Sequence, residues 1–161
     1  MGEQMIALSL PAVSVGTASA IVTSMGVIIG FGVASISKPT IIAGLLIVGL
    51  ADNVTDSLSI HIYQESERLE HHAAFRATIG NFAARLIISL SFVFLAFTFS
   101  SAAMILVCLI WGALLLATLT WFVAKNRNAN VMTETLKHLA VAAVVIAASL
   151  VTGTLINACV E

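Results

Sequence analysis

Long stretches without charge decide what this chain can fold into. Residues 86–124 contain no Asp, Glu, Lys or Arg, and neither do residues 4–37 or 139–160. A helix that crosses a bilayer needs about 20 predominantly apolar residues. The middle stretch is therefore long enough for two such helices, and each of the other two is long enough for one.

The overall composition excludes several classes of protein. Charged residues make up 9% of the chain, whereas a soluble domain usually contains about 25%. A soluble enzyme and a disordered segment are therefore excluded. The net charge of −1 gives no basic surface for nucleic acid. The chain also lacks the HExxH and GxSxG motifs of membrane proteases and esterases, so we do not expect an enzyme.

A fifth helix is predicted between Pro39 and Tyr63, and Ser100-Ser101 divides the longest uncharged stretch into two helices. Residues 64–82 are polar and are predicted to form a juxtamembrane segment that continues the second helix. We therefore predict that residues 1–161 form a single all-α integral membrane domain. The five predicted transmembrane helices cover residues 11–36, 40–63, 83–99, 102–124 and 137–157.

The basic residues predict the orientation of these helices. With five spans, the N-terminus and both polar loops lie on one side of the membrane, and Lys38 lies on the other. Because basic residues are enriched in cytoplasmic loops, the N-terminus is predicted to be cytoplasmic and the C-terminus outside or lumenal. No organelle signal is visible, which favours the plasma (inner) membrane. The basic residues assigned to the cytoplasmic side are Arg68, Arg76, Arg85, Lys125, Arg127 and Lys137.

Two acidic residues, Asp52 and Asp56, lie inside the second predicted span. A charged side chain near the bilayer centre costs about 2.5–3.5 kcal/mol on insertion scales, and such residues usually mark a functional site. Their i, i+4 spacing places both on one face of a helix, and Ser59 extends that face. Asn53 and His61 belong to a neighbouring polar stripe.

Polar residues of the first predicted helix lie at a similar depth. With a rise of about 1.5 Å per residue, Ser19 and Thr23 stand level with Asp56 and Asp52, and together they are predicted to line a polar slot. Carboxylates, hydroxyls and one imidazole suit a divalent cation of intermediate hardness, and close carboxylates also share protons. Alternatively, the aspartates are protonated or bond hydroxyl groups, and only hold helices together.

A second group of candidate metal ligands follows the second span. Glu67 and His71 lie one turn apart if the helix continues, which is a spacing that can hold a metal ion. The alternative is a solvated amphipathic collar at the membrane surface. The candidates in this group are Glu65, Glu67, Glu70 and His71.

Small residues also recur on the first helix, where Gly26 and Gly30 belong to one stripe. Small residues four apart let two helices approach closely in lipid. The stripe indicates a tight helix contact, either within the fold or between two copies.

Segments of the first two helices resemble vacuolar iron transporter-like proteins. GTASAIVTSMGVIIGFGVA (16–34) resembles their first-helix pattern, which often reads G-A-N-D-G-I-V-T-T-F. IIAGLLIVGLADNVTDSLSI (41–60) resembles their second-helix pattern, and the closing GTLINAC (153–159) is similar to the end of their fifth helix. The resemblance implies a homodimer that exports Fe²⁺ or Mn²⁺ from the cytosol in exchange for protons.

The resemblance also implies roles for single residues. Asp52 matches the acidic residue of the family's second helix. Ser19 stands where the family usually has an aspartate, and Ile60 stands where it usually has a methionine. Residues 64–82 replace the larger cytosolic metal-binding domain of many relatives, so the chain resembles a short form of the transporter.

The expected partners follow from this interpretation. They are protons, the lipid bilayer, a second copy of the chain, and a transported divalent metal ion (Fe²⁺, Mn²⁺ or Zn²⁺), with no permanently bound cofactor. The alternative is a non-transporting membrane scaffold or regulatory protein derived from the same fold.

Overall fold

Every element in the described part of this chain is an α-helix. The computed structural model describes the backbone of residues 2–66 and 71–160, and the side chains of residues 13–63, 65, 66, 75 and 77–159. Five of its helices are long and apolar enough to cross a membrane, which confirms the predicted all-α architecture with five such helices and indicates a multi-pass membrane protein. The helices are α1 (Gly2–Val33), α2 (Lys38–Ser66), α3 (His71–Thr98), α4 (Ser101–Asn126) and α5 (Val131–Val160).

The helices extend further than the apolar pattern predicts. α1 continues back through Pro11 to Gly2, and α3 begins at His71 rather than at residue 83. The predicted segment 64–82 is therefore divided, since α2 runs to Ser66 and the residues from His71 onward belong to α3. Hydropathy locates the apolar part of a helix, whereas backbone hydrogen bonds from residue i to residue i−4 continue into its polar ends.

The start of α5 shows how a polar residue sets such an end. The side-chain oxygen of Asn130 accepts a hydrogen bond from the backbone N–H of Thr133 at 3.2 Å. Asn at this position satisfies one of the backbone N–H groups that have no partner at a helix start. α5 consequently begins at Val131 rather than at the predicted residue 137.

α1 is the central helix of the bundle, because it contacts each of the other four helices. Its apolar residues Ile21 and Ile28 are completely buried, as is Phe92 of α3. Met104 and Leu116 bring α4 into the same hydrophobic core. The residues that α1 places between α2 and α3 therefore lie in the interior of the bundle.

The stripe of small residues on α1 packs against α5. A Cβ atom added to Gly26 would lie 3.1 Å from the hydroxyl of Ser149, and one added to Gly153 would lie 2.5 Å from the carbonyl oxygen of Gly30. The two backbones therefore approach closely at Gly30 and Gly153. Of the two interpretations of the stripe, the structure shows the contact within the fold.

Lys38 joins the start of α2 to the end of α3. Its ammonium group donates hydrogen bonds to the carbonyl oxygens of Phe97 at 2.9 Å and Phe99 at 2.8 Å. The last carbonyl groups of a helix have no partner within the helix, and a cation at this end is also favoured by the helix dipole. This contact fixes how far α2 and α3 slide along each other.

Replacing Gly153 by Ala tests the close approach of α1 and α5. The added methyl group would meet backbone rather than a flexible side chain, so we expect the variant to lose about 1–3 kcal/mol of stability. The matched control is Gly80→Ala, whose methyl group would lie 3.8 Å from Val13. That variant should be neutral or gain up to about 1 kcal/mol, because Ala favours a helix.

Unfolding of both variants in detergent micelles, followed by circular dichroism, provides the measurement. Equal stability changes in the two variants would contradict the assigned contact.

Candidate functional site

A buried arginine holds both of the aspartates that the sequence singles out. Arg85 of α3 is 1% exposed, and its two terminal nitrogens lie 2.5 Å from carboxylate oxygens of Asp52 and Asp56. One of these nitrogens also donates a 2.8 Å hydrogen bond to the carbonyl oxygen of Gly16 on α1. We call Asp52, Asp56 and Arg85 the charged triad. It connects α1, α2 and α3 through a single guanidinium group.

Arg85 was predicted to lie near the cytoplasmic start of the third helix (83–99), but α3 begins at His71 and buries Arg85 within the bundle. Arg85 lies within α3 and within the apolar span Ala77–Thr98. The two carboxylates of α2 neutralise it there, so it does not need water or lipid headgroups. The sequence carries a signal for this position, because Asn81, Arg85 and Ser89 recur every four residues and form a polar stripe on α3.

Gly16 allows α1 to reach the triad. A Cβ atom at this position would overlap the amide oxygen of Asn81 and would lie 3.0 Å from the Cδ atom of Arg85. Gly49 of α2 has a similar role, since a Cβ atom there would lie 3.2 Å from the Cβ atom of Ser89. Glycine at both positions brings the backbones close enough to surround the guanidinium group.

Further buried polar groups lie between α2 and α3. The side-chain amide nitrogen of Asn53 donates a 3.0 Å hydrogen bond to the carbonyl oxygen of Phe82. Asn53 is 1% exposed and Asn81 is fully buried. Within the described part of the chain, the amide oxygen of Asn53, the hydroxyl of Ser57 and the whole amide of Asn81 have no hydrogen-bond partner. Asn53 therefore lies in the contact between helices, apart from the predicted slot.

Asp52 also borders a cavity on the α1 side. The cavity has a volume of about 200 Å³, which includes space open to the outside, and about one water molecule fits against its wall. Thr23 belongs to its wall, as predicted from depth along α1, whereas Ser19 is half-buried and does not. The polar residues of the wall are Thr23, Ser24, Asp52 and Ser89.

The remaining candidate ligands near the end of α2 do not join the triad. The hydroxyl of Ser59 donates to the carbonyl oxygen of Thr55. His61 lies 3.5 Å from Glu65, one turn further along α2. The contacts of both side chains named here are therefore made within α2, not across the predicted slot.

The second predicted metal group falls mostly outside the described residues. Glu67 and Glu70 lie there entirely, and His71 is described only as the first backbone position of α3. Among the described side chains, no group of three or more His, Cys, Asp or Glu residues is arranged to hold a metal ion. The described site therefore consists of two carboxylates, one guanidinium and several hydroxyl groups.

Comparison with known protein families, curated proteins and solved structures finds no match for this chain. The resemblance to vacuolar iron transporter-like proteins therefore stays a prediction based on the sequence of the helices. The fold and the site define a class of molecule: a five-helix, multi-pass membrane protein with a charged triad between its first three helices.

Replacing Arg85 by Met tests the contribution of the triad to stability. Removing one partner of a buried ion pair typically costs about 3–5 kcal/mol, because the other charge stays buried without compensation. We expect a loss of this size, and we expect the added change Asp52→Asn to restore part of it. The measurement is unfolding in detergent micelles.

Lys137→Met is the matched control, because Lys137 pairs with Glu134 at 2.8 Å on an exposed face of α5. Exposed ion pairs contribute little to stability, so this variant should unfold like the wild type. A similar effect of the two substitutions would contradict the role assigned to Arg85.

Proposed function

We propose that this chain is a membrane transporter that exchanges a divalent cation for protons, with the charged triad as the coupling site. The observation that carries the proposal is that two intramembrane carboxylates share one buried guanidinium group. Ionisable residues within a membrane are rare because they are costly, and they commonly mark ion pathways and proton relays.

The charges of the triad provide a reason for coupling. With both carboxylates ionised, one guanidinium leaves a net charge of −1. A proton on either carboxylate neutralises the triad. A carboxylate must release its proton before it ligates a metal ion, so binding of the cation and binding of protons exclude each other at the same oxygen atoms.

Arg85 has a specific role in this proposal, as an internal cation that occupies the carboxylates while no metal ion is bound. Two unit charges 4 Å apart interact by about 4 kcal/mol at an effective dielectric constant of 20. A divalent ion beside Arg85 would be repelled about twice as strongly. The entering ion must therefore displace the guanidinium group, and its arrival alters the contact between α2 and α3.

The partial exposure of the two carboxylates supports the proposed homodimer. Asp52 and Asp56 have 34% and 37% of their side-chain surface exposed in a single chain. Hydrocarbon tails cannot solvate a carboxylate. A second copy of the chain that covers this face of α2 would enclose a polar pathway between the subunits.

The identity of the transported metal ion and the membrane in which the protein lies are inferred from the sequence. The resemblance to vacuolar iron transporter-like proteins favours Fe²⁺ or Mn²⁺, with Zn²⁺ as a further candidate. Once Arg85 is assigned to the triad, five basic residues remain on the N-terminal side against Lys38 on the other. This asymmetry still favours a cytoplasmic N-terminus, and we propose export across the plasma (inner) membrane.

Transport in liposomes tests the proposal directly. We expect purified protein to move Mn²⁺ or Fe²⁺ when a pH gradient is imposed, and we expect Asp52→Asn and Asp56→Asn to reduce the flux to the level of empty liposomes. Fluorescence of an entrapped metal indicator measures the flux, and an entrapped pH indicator measures the opposing proton movement.

The control for this experiment is Glu134→Gln, which removes the charge of an acidic side chain of α5 that pairs with Lys137, away from the triad. This variant should transport like the wild type. Equal metal flux in the wild type and both aspartate variants would refute the transport proposal.

The second candidate function is a non-transporting membrane scaffold or regulatory protein. The observation that favours it is that both terminal nitrogens of Arg85 are already bonded, to the two carboxylates and to Gly16. On this hypothesis the triad only holds α1, α2 and α3 together.

Thermal unfolding in the presence of metal ions separates the two functions. A ligand at 100 times its dissociation constant stabilises the protein that binds it by about 2.7 kcal/mol. A transporter should be stabilised by Fe²⁺, Mn²⁺ or Zn²⁺ but not by Mg²⁺, and Asp52→Asn should abolish the effect. A scaffold should show no response to any of these ions, while Asp52→Asn should still lower its melting temperature.

A further inference from the structure

We propose that the cavity beside Asp52 is a binding site for one sodium ion. We call it the hydroxyl cavity, and its polar wall consists of Thr23 and Ser24 from α1, Asp52 from α2 and Ser89 from α3. This ion is distinct from the divalent cation of the proposed transport. The argument for it depends on the cavity and on the charges beside it, and it does not require that the protein transports a divalent metal.

Two serine residues of this wall are buried, and their hydroxyl groups have no hydrogen-bond partner among the described residues. Ser24 is 5% exposed and Ser89 is 8% exposed, and both face the cavity. Within the described residues, neither hydroxyl has a hydrogen-bond partner in the protein, in contrast to Thr120, which bonds the carbonyl oxygen of Leu116. Both hydroxyls are accessible from the cavity rather than enclosed by protein, so they are available to bind a particle within it.

The size of the cavity limits that ligand. Apart from space that is open to the outside, it has room for about one particle of the size of a water molecule, which is too little for an organic substrate or a hydrated ion. The remaining wall is apolar and includes Val27, Leu45 and Val48. A dehydrated ion would therefore be held by the oxygen atoms of the polar wall.

The chemistry and charge of the wall favour sodium. All the polar side chains of the wall offer oxygen, which is the ligand type that hard cations prefer. The charged triad carries a net charge of −1 when both carboxylates are ionised, and Asp52 belongs to both the triad and the wall. One monovalent cation brings the combined charge of the triad and the ion to zero. A divalent cation at this position would leave an excess positive charge close to Arg85. The wall offers few oxygen ligands, and sodium accepts a smaller coordination number than potassium, so sodium suits this wall better.

Thermal unfolding of the purified protein at constant ionic strength tests the site. We expect NaCl to raise the melting temperature by several degrees in a saturable manner relative to choline chloride, and KCl to have a much smaller effect. Equilibrium binding of radioactive ²²Na⁺ to the same protein should saturate at one ion per chain.

Single hydroxyl deletions locate the ion. Ser24→Ala and Ser89→Ala remove groups without a partner in the protein, so the variants should fold normally in choline chloride but should lose most of the response to sodium. Ser91→Ala is the matched control on α3, because its hydroxyl accepts a hydrogen bond from Trp111 and does not border the cavity. This control should keep the full response.

Two results would overturn the inference. If NaCl, KCl and choline chloride give the same melting temperature and no ²²Na⁺ binds, the cavity holds only water. If Ser24→Ala and Ser89→Ala bind ²²Na⁺ like the wild type, the ion lies elsewhere. Both measurements are made without a gradient or a divalent metal, so failure of metal transport leaves them unchanged.

Discussion

The positive charge of Arg85 has to be neutralised inside an apolar bundle, and the arrangement of three helices depends on that requirement. Two carboxylates of α2 and one carbonyl group of α1 surround the guanidinium. Gly16 supplies the carbonyl group and, by lacking a side chain, also the space. At the far end of the same helix pair, Lys38 fixes α2 against α3, so the carboxylates meet Arg85 in register.

This arrangement creates a conflict between stability and ion exchange. An ion pair that holds three helices together resists opening, whereas coupled transport requires the same carboxylates to exchange their partners. The hydroxyl cavity offers a way to reconcile the two demands, because Asp52 borders it while bonded to Arg85. A small cation there can compensate the carboxylate charge without dismantling the contact between α2 and α3.

The sequence predicts most of the fold and only part of the site. Uncharged stretches reveal four of the five helices because a span in lipid has to be apolar, and Asp52 and Asp56 stand out in the remaining one. Arg85 was counted among the cytoplasmic charges because it lies near the predicted start of the third helix, where basic residues are common. Its role depends on which helices are neighbours, and a one-dimensional hydropathy pattern does not contain that information. For the same reason, the hydropathy pattern does not reveal that the side chain of Asn53, one residue from Asp52, bonds a carbonyl group of α3.

The charged triad also has a consequence for how the protein enters a membrane. α2 carries two acidic residues and α3 carries one buried basic residue, so either helix alone would expose uncompensated charge to hydrocarbon. Few residues separate the two helices in the chain, which lets them meet soon after synthesis. α2 and α3 should therefore leave the insertion machinery as a paired hairpin with the salt bridges already formed, and a chain stopped between them should be retained or degraded.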